Sequence, residues 1–293
     1  MKKVILVIIV FMALQSFSVE GISKESSVFR LEGLPDLSQT DPQAGFDLLG
    51  YVMCGPVAVS NSLVWLGLKG YRDLVDLSGD PFTDQVALAR LLAGEGYMNT
   101  RFSRGGTSTI NLLKGLERYI TGRGYEHSVI SYYGWNYCPE RFAREDLPPS
   151  PGKLKEQFSP SSSLIINLGW YHYDPKEDCY TRDGGHWVTM AGHGEDYILI
   201  NDPAPWSGRS SSSHRVILRR IEHGFLKGDS KRLPRSAWGY YMVSEGLPLP
   251  KKGVVGIIDG VVLLEMEVQF PGYHGKENPI SLKRQAPVWT GSR

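Results

Sequence analysis

Cysteine is scarce in this chain: 293 residues hold three, Cys54, Cys138 and Cys179. So low a count excludes a disulfide-dense scaffold, and an odd number leaves at least one sulfur outside any bridge within the chain. A Cys138–Cys179 disulfide would leave Cys54 as a thiol, either for chemistry or as an apolar filler. A surplus of charge is missing too. The 32 Lys and Arg meet 31 Asp and Glu, a balance that gives no reason to expect nucleic acid as a partner. No internal repeat is present, which sets aside solenoids and propellers. His172, Asp174, Asp178 and Cys179 match no zinc-ligand spacing, and neither a metal nor a cofactor is expected.

What the first residues do contain is Met-Lys-Lys followed by an apolar run from Val4 to Leu14, then Gln15-Ser16-Phe17-Ser18. The run stops well short of the roughly 20 apolar residues that cross a bilayer, so it reads as a signal peptide over residues 1–18, cut after Ser18. No cysteine lies near that cut to carry a lipid. The expectation is a secreted or periplasmic product without stable membrane insertion. The remaining chain, with 41% hydrophobic and 11% aromatic residues overall, can bury one large core. One principal domain is expected over residues 19–250, with 251–293 as a strand hairpin and tail that completes it or is appended to it.

Residues 19–50 are rich in Gly, Pro, Ser and Asp and read as an extended lead-in. A helix is expected from Cys54 to Gly67, with Pro56 in its first turn and Gly67 as its stop. Thr83 is expected to cap a second helix ending before Gly94, and Ser108 or Thr107 a third that covers Ile110–Ile120. After a Pro- and Ser-rich linker, Leu147–Gly152, and a short helix around Lys153–Phe158, the pattern turns strand-like. Strands are expected at Leu164–Tyr173, His186–Ala191 and Tyr197–Asn201, the last two joined by a turn at Gly194-Glu195-Asp196. Trp238–Val243 and Val254–Val268 add further strands. The aromatic stretches Tyr132–Tyr137 and Trp170–Tyr173 read as core, or as the lining of a substrate groove.

The chemistry concentrates in three places. A thiol is nucleophilic as a thiolate, and the unsatisfied N–H groups of a helix N-terminus favour that charge, which is where Cys54 falls in Cys54-Gly55-Pro56. Gly184-Gly185-His186 puts paired glycines before a histidine that begins an apolar strand, and an imidazole can take and return a proton near neutral pH. Across the hairpin, Asn201-Asp202-Pro203 brings an amide or a carboxylate beside His186 to orient the ring. His193 competes weakly with His186 as the base.

Together these residues resemble the papain-like cysteine peptidases related to the bacteriocin-processing, double-glycine leader peptidases, in an exported branch. The resemblance covers residues 34–66 and 160–205, and more loosely 107–125. It implies an α+β, papain-like fold: an N-terminal helical part carrying the nucleophile at a helix start, packed on a C-terminal antiparallel sheet. It assigns Cys54 as nucleophile, His186 as general base and acid, and Asp202 as the orienting carboxylate, with Asn201 as fallback. Relatives place an oxyanion-stabilising glutamine closer to the cysteine than this chain does. Leu48 stands six residues before Cys54, which leaves Gln39, or failing that Gln43, for the role. The implied activity is thiol-dependent cleavage of a peptide or protein substrate, cell-wall peptides among those within reach of an exported enzyme. Two alternatives use the same residues: acyl transfer or cross-link hydrolysis in the cell wall, and a non-catalytic binding module with a vestigial site.

Overall fold

The computed structural model describes residues 28–144, 148–204, 213–228 and 233–267. The segment read as a signal peptide and the tail from 268 onward lie outside the described residues.

Four helices precede or flank a large sheet. Helix α1 (Cys54–Leu68) is buried from Gly55 to Gly67; mostly apolar around its circumference, with the buried Ser60-Asn61-Ser62 hydrogen-bonded, it lies within the core and not on its surface. Thr189 Oγ1 donates to Ala58 O at 2.8 Å, and Ser163 Oγ bonds Ser62 Oγ at 2.6 Å, which pins the helix to the sheet beneath. Helix α2 (Pro81–Ala93) is capped by Asp80, whose side chain accepts from Thr83 N at 3.3 Å. Thr83 therefore lies inside the first turn and not at the cap, because Pro81 is suited to the first helical position. Ser108 caps α3 (Thr109–Gly122), and Ser150 caps α4 (Pro151–Gln157).

The strands are β1 (Phe29–Arg30), β2 (Val129–Gly134), β3 (Ser162–Asp174), β4 (Cys179–His193), β5 (Tyr197–Asn201), β6 (His214–Arg220), β7 (Phe225–Lys227), β8 (Arg235–Ser236), β9 (Tyr241–Glu245) and β10 (Val255–Glu265). Six of them form a ring. Strand β3 pairs with β4, β4 with β5, β5 with β6, β6 with β9, β9 with β10, and β10 returns to β3, every pair antiparallel. Strand β2 shares the edge of β10 beyond β9, β1 lies along the end of β4, and β7 and β8 extend the sheet at the start of β4.

The expected papain-like α+β architecture is thus overturned: the chain is a closed six-stranded antiparallel β-barrel with four added strands and four helices among the described residues. Closure has a physical basis in the long strands β3, β4 and β10. Register shifts at Ile258/Gly260, Trp170/Tyr171 and Met190/Gly192 insert extra residues, and such bulges bend and twist a strand enough to bring a sheet round upon itself. The interior is packed. Ile166, Leu168, Val188, Ile198, Ile200, Val216, Leu218, Val243 and Ile258 leave about 10 Å³ between them, roughly the space of one water molecule.

One strand expectation also shifts. Trp238 sits exposed on a turn, and β9 begins only at Tyr241. The strand expected from Val254 forms as β10, and of the two options left open for it, it completes the sheet as a wall of the barrel. Among the described residues, no helix is long and apolar enough to cross a membrane.

Candidate active site

Residue Cys54 is the first residue of α1, and no side chain caps that helix, so the N–H groups of its first turn are left to whatever occupies the space in front. Gly55 is required by its neighbour. A Cβ there would meet Thr107 Cβ and Oγ1 at 3.0 Å, so the glycine lets the Thr107 loop close against the helix start. Among the three cysteines no disulfide forms; Cys179 opens β4 across from Asp174, and Cys138 packs against the main core instead.

On the neighbouring strand, His186 is buried, with Trp170 stacked against its ring at 5.9 Å. Its Nε2 meets Asp202 Oδ1 at 2.5 Å. The Cys54 side chain is a second hydrogen-bonding partner of the ring. Burial alone would drive the ring towards neutrality, yet Asp202 and then Cys54 outweigh it and raise its pKa well above the ordinary imidazole value. Asp202 responds in the opposite sense: burial opposes its charge, but His186 and the Ala204 N–H hold the carboxyl below its usual range.

The structure therefore brings Cys54, His186 and Asp202 together, and it separates the fallbacks. Asn201 points elsewhere, with Nδ2 donating to Pro35 O at 2.8 Å and Oδ1 accepting from Ser213 Oγ at 2.7 Å. His193 lies at the far end of β4 between Phe29 and Phe158. Burial, followed by Lys155, lowers its pKa. Gln39 lies beside the segment that follows Asp202 and is not among the residues lining the cavity in front of Cys54. Its N–H donates to Pro203 O at 2.8 Å, and its own carbonyl packs so close to Gly50 that a Cβ there would sit at 2.7 Å. The Gln39 side chain is buried, and Oε1 makes no hydrogen bond among the described residues. Gln43 lies exposed on a turn. The residues weighed as a metal set fall into separate pairs instead, His172 with Asp183 and Asp178 with His223.

In front of Cys54 lies a cavity of about 330 Å³ that also reaches Thr107, Asn136, Arg104 and Arg182. Neither arginine stands out in the sequence. The signal for the second is indirect: Asp259 is a lone carboxylate in the apolar run Ile257-Ile258-Asp259-Gly260-Val261, and a charge in such a place calls for a partner.

Asp36, also missed, is partly buried near Asp202. Burial, then the Asp202 charge, push its carboxyl up to about 7, against the pull of Arg30. In the unfolded chain the same group releases its proton near pH 4, so over the interval between those values folding takes up a proton and stability falls as pH rises. Asp36→Asn is expected to match the wild type near pH 4 and to exceed it near pH 8 by about 2 kcal/mol, after allowance for solvent screening. Urea unfolding at both pH values measures the difference, and equal stability near pH 8 would contradict this account.

No known family model matches the chain, and neither does any curated protein or solved structure.

Proposed function

We propose that the protein is an exported thiol peptidase or related amide hydrolase acting through Cys54, His186 and Asp202. The observation that carries this reading is the buried imidazole held between a carboxylate and a thiol at an uncapped helix start. In the first step the Cys54 sulfur, its proton on His186, attacks a peptide carbonyl. The tetrahedral oxyanion is met by N–H groups at the start of α1 and by the Gln39 side-chain amide, whose O and N positions are interchangeable by rotation. As the C–N bond breaks, the imidazolium gives its proton to the leaving amine and an acyl-thioester remains. Water then attacks the thioester, His186 takes the water's proton, and the S–C bond breaks to release the acid and restore the thiol–imidazole pair. The substrate is a peptide or protein on the far side of the membrane that the N-terminal segment would carry the chain across.

A thioester of this kind is detectable. Turnover of an unfolded protein substrate, quenched in acid, is expected to leave an acyl mass on the peptide containing Cys54, released by hydroxylamine. Cleavage that proceeds with Cys54 irreversibly alkylated would overturn the assignment.

A further inference from the structure

We propose that the cavity beside Cys54 receives a carboxylate of the substrate, so that the enzyme selects peptides with a free carboxylate next to the scissile bond. The proposal rests on the thiol-hydrolase reading and adds its substrate class.

The charged groups on the cavity wall are Arg104 and Arg182, and no carboxylate lines it among the described residues. Arg182 is built in rather than merely present. Its Nε donates to Asp259 Oδ2 at 2.7 Å, and Asp259 is fully buried, its Oδ1 accepting from Tyr171 Oη at 2.5 Å and Trp135 Nε1 at 3.0 Å. That carboxylate accepts from three donors, and it holds the guanidinium by one edge. The Nη groups make no hydrogen bond among the described residues, and they are the fork that recognises a carboxylate in two-point fashion. Their space is kept open by Gly185, where a Cβ would fall 2.3 Å from Arg182 Nη2. The glycine before His186 thus has a role in the cavity and not only at the ring.

Asp259 offsets the charge of Arg182. Arg104 supplies the excess: it is exposed and has no acidic partner among the described residues. An arginine fixed in advance gives up less rotamer freedom on binding than a mobile one. A carboxylate bound here would be carried on the same small molecule or residue that presents its carbonyl to Cys54, since one cavity holds both walls.

Three alkylating probes test this without knowledge of the natural substrate. N-bromoacetyl-glycine carries an α-carboxylate, N-bromoacetyl-aspartate α-amide a side-chain carboxylate, and N-bromoacetyl-asparagine α-amide neither. In each the thiol sulfur displaces bromide and forms a thioether, read by mass spectrometry on the Cys54 peptide, with Cys179 in the same molecule as reference. At least one acidic probe is expected to label Cys54 roughly tenfold faster than the neutral probe, the gain of a charge-assisted hydrogen bond, with no such ratio at Cys179. The faster of the two acidic probes identifies the carboxylate as terminal or side-chain. Arg104→Ala, at an exposed position that does not threaten folding, is expected to narrow the ratio several-fold. If Cys54 outpaces Cys179 with all three probes alike, or if Arg104→Ala leaves the ratio unchanged, the carboxylate site is overturned while the nucleophile stands. If Cys54 reacts no faster than Cys179 with any probe, the hydrolase reading itself fails.

Discussion

Asp202→Asn is expected to lower turnover by about four orders of magnitude, because an amide in place of the carboxylate no longer stabilises the imidazolium and can hold the ring in the wrong tautomer. The loss belongs in kcat, with a far smaller change in KM, since Asp202 sits behind His186 and is not among the cavity-lining residues. The pH dependence moves with it. Asp202 raises the His186 pKa, and in the proposed mechanism the protonated ring is the acid that serves the leaving amine. The alkaline limb of kcat/KM, where that proton is lost, is expected to shift to lower pH in the variant. The same pair has a stability signature. The share from Asp202, whose pKa is depressed, is present above the ordinary carboxylate range and is lost as pH falls. The share from His186, whose pKa is raised, is full below about 6.5 and is lost as pH rises through its folded value. A variant that keeps more than a tenth of wild-type turnover would show that Asp202 is not an orienting group.

Asp259→Ala is expected to cost about 3–5 kcal/mol in unfolding free energy, the usual consequence of removing one member of a buried ion pair. Three donors lose their acceptor at once: Arg182 Nε, Tyr171 Oη and Trp135 Nε1. Asp259→Asn retains one oxygen acceptor and is expected to lose less. Urea unfolding of both variants gives the comparison, and a loss below about 1 kcal/mol in the alanine variant would mean the cluster is not holding its surroundings in place. Burial, followed by the neighbouring Asp259, raises the Tyr171 phenol above its ordinary range, so Tyr171 stays a donor throughout the pH range of such experiments.

Much of the site could be read from the sequence because its parts sit in local motifs. Cys54 opens a helix whose start is marked by Pro56, and His186 and Asp202 are joined by a hairpin whose turn, residues 194–196, is visible in the residue types. The barrel was not legible. A strand's own pattern reveals which of its faces is apolar but not which strands lie on its two edges, and β10 has β3 on one and β9 and β2 on the other. The bulges that allow closure depend on pairing register, which exists only once partners are chosen. Arg182 was hidden for the same reason, since its partner Asp259 lies far along the chain in the strand that closes the ring. The position of Gln39 could not be read from the sequence, since it is set by the Gln39–Pro203 hydrogen bond, a contact between distant segments.

Because the ring closes through β10, the last strand among the described residues, the order of synthesis has a consequence. Cys54 and its helix emerge early, yet β3 and β9 remain open edges, able to pair with other chains, until β10 fills the gap between them. A topology dominated by such distant pairings folds slowly, on the millisecond-to-second scale for small domains of this kind. The Cys54 thiol is therefore synthesised before the imidazole and the carboxylate it meets in the fold, which arrive with the second half of the chain. Cys54, His186 and Asp202 come together only once the sheet is nearly complete.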